Sequence, residues 1–348
     1  MRKFLSYLAP AFALVCPVIT SAHEVYVLTP QEISQGLQTP AFNMADVALG
    51  DFNRFLFWGF VTFLVISTVF CISIFRVLER ALDPFFFRIK KYAPAMCRMT
   101  VGVGLLAGAY YQASYGPELP LGPVYGALTP IVTALIAISG VLMLAGMYVR
   151  VASTVALFFF SIAVVRNGVY MLTYANYFGE FVVLLLLGAH STRRGARTAM
   201  TGFWHRIERA FAPYAFALIR VCFGISLFYA AFYAKILHND LALQVATLPL
   251  AGHQYGVAHY LGFEPHFLVV GAALIELIIA TFFIFGIEIR WTSIFLLFWL
   301  SLSLWWFGES VWPHIILIGI PIAFFMHGYD NFSAEGYFFK RGKREPVL

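Results

Sequence analysis

Charge is scarce in this chain, and positive charge is missing altogether from some of its gaps. Only 11% of the 348 residues are charged and 61% are hydrophobic. Soluble domains carry about 25% charged residues, so this composition excludes a globule covered by polar surface. No Lys or Arg occurs around 114–125, 174–177, 238–263 or 308–312. There are four cysteines (16, 71, 97 and 222), all in apolar runs or at their ends, and no CxxC pair, so nothing here supports a thiolate metal site or a disulfide framework. The chain also lacks GxGxxG, P-loop, HExxH, CxxCH and GxSxG patterns, and with them the usual signatures of a self-sufficient dinucleotide, NTP, zinc, haem or serine-hydrolase enzyme.

What is present is a succession of long apolar runs with basic residues in alternate gaps. Arg76, Arg80, Arg88, Lys90, Lys91 and Arg98 follow the first run, and Arg193, Arg194, Arg197, Arg206 and Arg209 follow the fifth. Lys340, Arg341, Lys343 and Arg344 lie in the C-terminal tail. This alternation obeys the positive-inside rule for a polytopic helical membrane protein in a bacterial inner membrane. It predicts nine transmembrane helices, N-terminus outside and C-terminus cytoplasmic. The net charge of +6 is accordingly a topology signal and not one for nucleic acid. Continuous apolar runs such as 181–188 exclude the alternation of a membrane barrel.

Arg2 and Lys3, the apolar stretch 4–19 and the small residues Thr20-Ser21-Ala22 predict a secretory signal peptide over 1–22. A periplasmic segment follows at 23–52, then a first span and basic connector at 53–97, with Asp83-Pro84 ending a segment. Two tandem four-helix units are expected at 98–191 and 213–328, joined by a basic linker at 192–212 and followed by a basic tail at 329–348. The repeat is read from Arg98-x5-Gly104 against Arg220-x3-Gly224, from Gly146-x3-Arg150 against Gly286-x3-Arg290, and from His190 against His327. Between the last spans of the second unit and its first lies a long outer loop at 238–263.

An ionisable group inside hydrocarbon is costly and therefore a functional candidate. Lys235, Glu276 and Arg166 lie in spans, while Glu180 and Glu309 begin spans at the outer side. Arg166 and Glu180 are close enough in sequence to form an inter-helix pair, and Lys235 is long enough to snorkel. His238, His253, His259 and His266 crowd the outer loop, and His314 starts the last span. A mature N-terminus at His23, together with His238, His253 and His259, is a candidate copper site, although the spacing matches no known metal motif. Tyr229, Tyr233, Trp299, Trp305 and Trp306 either belong to an interfacial belt or line a flat pocket for a quinone ring.

The second unit resembles the DoxX/DoxD family of small four-helix bacterial membrane proteins. The likeness rests on Arg220-Val-Cys-Phe-Gly224, Tyr229 and Lys235, and on Glu276-Leu-Ile followed by Gly286-x3-Arg290. In the first unit the Lys position reads Ala113 and the Glu position Ile136, so only the second unit carries the ionisable pair. The resemblance implies a subunit of a quinone-linked oxidoreductase served by a soluble or membrane redox partner. In that reading Glu276 and Lys235 handle protons, and Arg220, Tyr229, Tyr233, Trp306, His314, Arg166 and Glu180 surround the quinone. A transporter or copper-handling protein, and a non-catalytic scaffold for a redox partner, are the rival readings.

Overall fold

The computed structural model describes residues 28, 30–39, 42–50, 53–188, 201–249, 252–307, 312 and 314–338. The expected signal peptide, His23, His190, Glu309 and the basic tail beyond 338 lie outside them. Among the described residues the chain is helical, with a single isolated bridge between Ala113 and Pro120. Six helical segments are long and apolar enough to cross a membrane: Arg54–Glu79, Gly122–Ala145, Val149–Leu187, Arg206–Leu237, Pro265–Phe285 and Ile289–Phe307. This fits a multi-pass membrane protein in a lipid bilayer.

The helices are α1 (Pro30–Gln38), α2 (Met44–Leu49), α3 (Asn53–Lys90), α4 (Ala93–Tyr110), α5 (Thr129–Ala145), α6 (Val149–Asn167), α7 (Ala175–Leu187) and α8 (Thr201–Phe211). They continue as α9 (Ala215–Phe232), α10 (Asn239–Thr247), α11 (Val257–Leu261), α12 (Pro265–Phe285), α13 (Ile289–Phe307), α14 (His314–His327) and α15 (Ala334–Phe338). Eight of them pack as a closed ring in the order α4, α5, α6, α7, α9, α12, α13, α14, with α14 returning to α4. The apolar stretch Val149–Leu187 is therefore a hairpin: a 3-10 turn at Gly168–Tyr174 folds α7 back onto α6.

Helix α3 stands outside the ring against α14 and α12, and most of its apolar surface, including Phe55, Phe63, Ile66 and Phe70, is exposed. It also corrects an expectation. Asp83-Pro84 does not end a segment, because the helix runs unbroken through Pro84 to Lys90. An interior proline leaves the carbonyl one turn back without its N–H partner and is tolerated where that end of the helix is solvated.

The same local geometry recurs in both halves of the ring. Gly146 and Gly286 end α5 and α12 in the left-handed region (φ +67° and +69°), and two residues later Tyr148 and Glu288 are left-handed as well (φ +49° and +46°). A residue without a Cβ is needed where a helix reverses this sharply. Arg98 then donates to the Met143 and Leu144 carbonyls, the latter at 3.1 Å, while Arg220 donates to Phe283 and Ile284, the latter at 2.8 Å. Each arginine thus satisfies the last carbonyls of the neighbouring helix, where a cation is also favoured by the helix dipole.

Close helix approach follows the same correspondence and revises one pairing. A Cβ on Gly224 would meet the Ile284 nitrogen at 2.8 Å and the Ala280 carbonyl at 2.9 Å. The equivalent position is Gly102, whose Cβ would meet Leu144 Cγ at 2.8 Å and the Gly140 carbonyl at 3.0 Å; Gly104 instead faces Ile316. The final helices align on Gly188 and Gly328, against Arg150 and Arg290 respectively, and not on His190 and His327. Gly179 of α7 packs on Cys222 of α9 and Gly319 of α14 on Thr100 of α4, so each half lends its last helix to the first helix of the other.

Arg150, Arg220, Arg290 and α15 share one end of the ring, called here the basic face. On it Arg220 bonds Asp330 (2.9 Å), Arg290 bonds Glu79, and Arg150 bonds Glu208. The opposite face is covered by chain that the sequence suggested to be loop. Within 238–263, α10 and α11 form, and α1 packs on α10. Fully buried Asn239 clamps the extended chain at Phe42, accepting from its N–H (2.9 Å) and donating to its carbonyl (2.8 Å).

Candidate functional site

The site lies below this cover, in the second half of the ring. Helix α9 loses its regular hydrogen-bond register at its end, where Tyr233–Leu237 form a π-helical turn. The wider turn carries Lys235 inward, and the residue is 6% exposed. Its Nζ stands 2.9 Å from Glu276 Oε2 in the middle of α12. The other oxygen, Glu276 Oε1, accepts from Trp299 Nε1 on α13 at 3.4 Å. Three elements therefore converge on one carboxylate. In apolar surroundings such a charge needs a cation and donors, and Lys235 and Trp299 supply them.

A cavity of about 340 Å³ opens beside the pair. Its walls are Val245, Leu268, Leu302, Trp305 and Trp306 with further small and aliphatic side chains, and Lys235 and Glu276 are its charged lining groups. This is the composition of a ligand pocket: mostly apolar, with few polar groups that converge. At its edge His253 stacks on Trp306 (4.6 Å between centroids) and its Nε2 lies 3.1 Å from the Trp306 carbonyl. A carbonyl only accepts, so that nitrogen carries the proton.

The first half of the ring shows the same place filled. Ile136 and Phe159 hold the positions of Glu276 and Trp299, and together with Tyr115, Ser139 and Ala156 they enclose a void of only about 10 Å³. Ala113, at the sequence position of Lys235, is buried against Ala107 and Trp312 and does not line this void.

The remaining site residues named from sequence do not gather here. Arg220 is 2% exposed at the basic face, committed to Asp330 and the α12 carbonyls. It lies fifteen residues before Lys235, about 22 Å along a helix. Tyr229 and Tyr233 turn toward the other half of the ring, where Tyr233 meets Tyr170 at 5.4 Å. His314 is buried at the start of α14, away from the lining of the cavity. Arg166 is exposed and does not reach Glu180, whose two oxygens find no hydrogen-bond partner among the described residues. Glu180 itself sits midway along α7 and not at a helix entry, because α7 already begins at Ala175, directly after the 3-10 turn Gly168–Tyr174.

The histidines do not assemble a metal centre among the described residues. His238 packs against Tyr233, His253 stacks on Trp306 and His259 packs against Tyr255, while His253 and His259 share the edge of Tyr260. His266 bonds Glu264, the N-cap of α12. Burial pushes the Glu264 carboxyl up, but bonds from His266 and from the Phe267 N–H outweigh it and hold the group below its usual range. Among the described residues, the set of potential ligand atoms that does converge is Glu79, Glu288 and Glu335 at the basic face. Sequence reading missed this cluster and Asp330. In a chain with only 17 acidic residues, each carboxylate placed next to an apolar run deserved pairing with an arginine.

No family model, curated protein or solved structure matches this chain.

Proposed function

We propose that this is a nine-helix protein of a bacterial inner membrane, basic face cytoplasmic, that acts as the quinone-binding subunit of a DoxX-like oxidoreductase. One observation carries the reading: the Lys235–Glu276 pair at the wall of an apolar, Trp-rich cavity of about 340 Å³ near the opposite face. A quinone ring is flat, uncharged and has two carbonyl acceptors. Indole faces suit the ring, the Lys235 ammonium and the Trp299 N–H suit a carbonyl, and the lipid bilayer supplies the molecule.

Reducing a quinone to a quinol consumes two electrons and two protons. The electrons come from a redox partner protein, since the chain carries no motif for a tightly bound redox cofactor. Lys235 polarises the carbonyl and Glu276 holds or passes the proton delivered to the oxygen as it gains charge. The ion pair shares its proton, so the two groups work as one unit. His253 is fixed by its contacts with Trp306, a wall of the cavity, and would relay protons there.

The test is purification from native membranes, with extraction and mass spectrometry of bound lipid-soluble molecules. A stoichiometric quinone in the wild type that is lost in Glu276→Gln supports the reading. Full retention of quinone-dependent turnover by that variant, or absence of quinone from the wild type, removes it. The rival copper reading rests on His23, which lies outside the described residues, together with His238, His253 and His259, and equilibrium copper binding by the purified protein tests it.

A further inference from the structure

A second cavity, of about 330 Å³, runs into the ring from the basic face. Its mouth is formed by Glu208, Arg209 and Ala212, its sides by Leu184, Leu187, Phe216 and Ile219, and Glu180 lines it from α7. Glu180 is 0% exposed, and neither carboxyl oxygen has a hydrogen-bond partner among the described residues. It lies seven residues, about 10 Å, before the end of α7 at that face.

A carboxyl in such surroundings is not stable as a lone anion; it must hold a proton or meet a cation. Among the described residues, the charged and titratable groups around it offer no fixed counter-ion. Cys97 of α4 and Tyr177 of α7 add only neutral or negative forms. Cys222 of α9 packs on neighbouring Gly179, and Arg220 on the same helix is bound to Asp330. Glu208 of α8 is engaged by Arg150, leaving Arg209 exposed at the mouth. The corresponding position in the other half is Ile320, so Glu180 is no requirement of the repeated packing.

We propose that Glu180 is a proton-exchange site, loaded from the basic face through this cavity and separate from the Lys235–Glu276 pocket. The protein then holds one intramembrane acid open to each face. The proposal does not depend on the quinone reading.

A lipid-soluble carbodiimide tests it, because only a protonated carboxyl in an apolar site reacts readily. The carboxyl O–H adds across one C=N bond of the reagent, and acyl migration from O to N gives an N-acylurea. The whole reagent is retained and nothing leaves. Membrane vesicles of one orientation are treated with dicyclohexylcarbodiimide while the pH on the two sides is set separately, and peptides are read by mass spectrometry. The Glu180 peptide gains one reagent mass, Glu180→Gln gains none, and labelling falls by up to about tenfold per unit rise of pH on the basic side. Ala212→Trp, which plugs the mouth without touching the carboxyl, slows labelling severalfold. An unlabelled Glu180 in the wild type, labelling that follows the pH of the opposite side, or an unchanged rate in Ala212→Trp overturns the proposal.

Discussion

Ile136 and Glu276 occupy one position in two matching helix hairpins, each ten residues before the left-handed glycine that ends its helix. Around Ile136 the space closes to about 10 Å³, whereas beside Glu276 it stays open at about 340 Å³. The ring thus carries one filled and one open copy of the same site, and the difference is made by a few side chains. Phe159 faces Ile136 where Trp299 faces Glu276, and the sequence position of Lys235 is taken by Ala113, which packs away from the site against Trp312.

The ion pair should behave as a unit in stability. Lys235→Met leaves a carboxylate, and Glu276→Gln leaves an ammonium, in largely apolar surroundings. Each single change is expected to cost on the order of 3 kcal/mol, and the double variant less than the sum, because no lone charge remains. Thermal unfolding in detergent measures the cycle. Additive losses would show that the two groups do not sense each other.

Trp299→Phe removes the indole N–H but keeps most of the aromatic wall. Loss of one neutral hydrogen bond to a carbonyl, or of the contact that orients Glu276, is expected to weaken binding of a short-chain quinone by about 1 kcal/mol, roughly fivefold. Titration of the remaining tryptophan fluorescence reads the affinity. Equal affinity in the variant means that the 3.4 Å contact has no part in binding.

Arg220 is structural in this account and not a ligand for the substrate. Arg220→Ala strips Asp330 of its partner and exposes the last α12 carbonyls at once, and it should destabilise by about 3–5 kcal/mol. Quinone affinity of the folded fraction should be unchanged. A selective loss of affinity with normal stability would move Arg220 back into the site.

The basic face should respond to pH through α15. Burial, then the charges of Glu79 and Glu288, hold the Glu335 carboxyl well above its ordinary range, while its Oε2 accepts from the Ile289 N–H at 3.4 Å. The folded state therefore binds this proton more tightly than the unfolded chain. Its contribution is present at acid pH and is lost as pH rises from the ordinary carboxylate range through the raised value. Hydrogen exchange of 334–338 should speed up over that window, and Glu335→Gln should flatten the response. An exchange rate independent of pH, after correction for intrinsic chemistry, would contradict this.

Much of this was legible in the residues. Long apolar runs separated by arginines mark helices in lipid, and Lys235 and Glu276 stand out because charge is so rare. The Gly-x3-Arg hinges could be matched by eye, since a left-handed reversal demands glycine. What sequence did not disclose depends on direction within a helix. The family resemblance sets Arg220 beside the quinone, but α9 carries it to the other face, about 22 Å from Lys235 along the helix. The histidines of 238–263 are near in sequence, yet their ring nitrogens form no convergent ligand set among the described residues; His238 packs on Tyr233, while His253 and His259 meet around Tyr260. Glu180 was assigned to a helix start because the 3-10 turn before α7 is as apolar as the helix itself.

The most direct test is photo-cross-linking with a quinone that carries a diazirine on its ring, applied to the intact protein in native-lipid nanodiscs. The account predicts adducts on Trp299, Trp306 or the facing α12 segment, competed away by unmodified quinone and strongly reduced in Glu276→Gln. Adducts confined to the lipid-facing surface of α3, or a pattern indifferent to the competitor and to the variant, would contradict it.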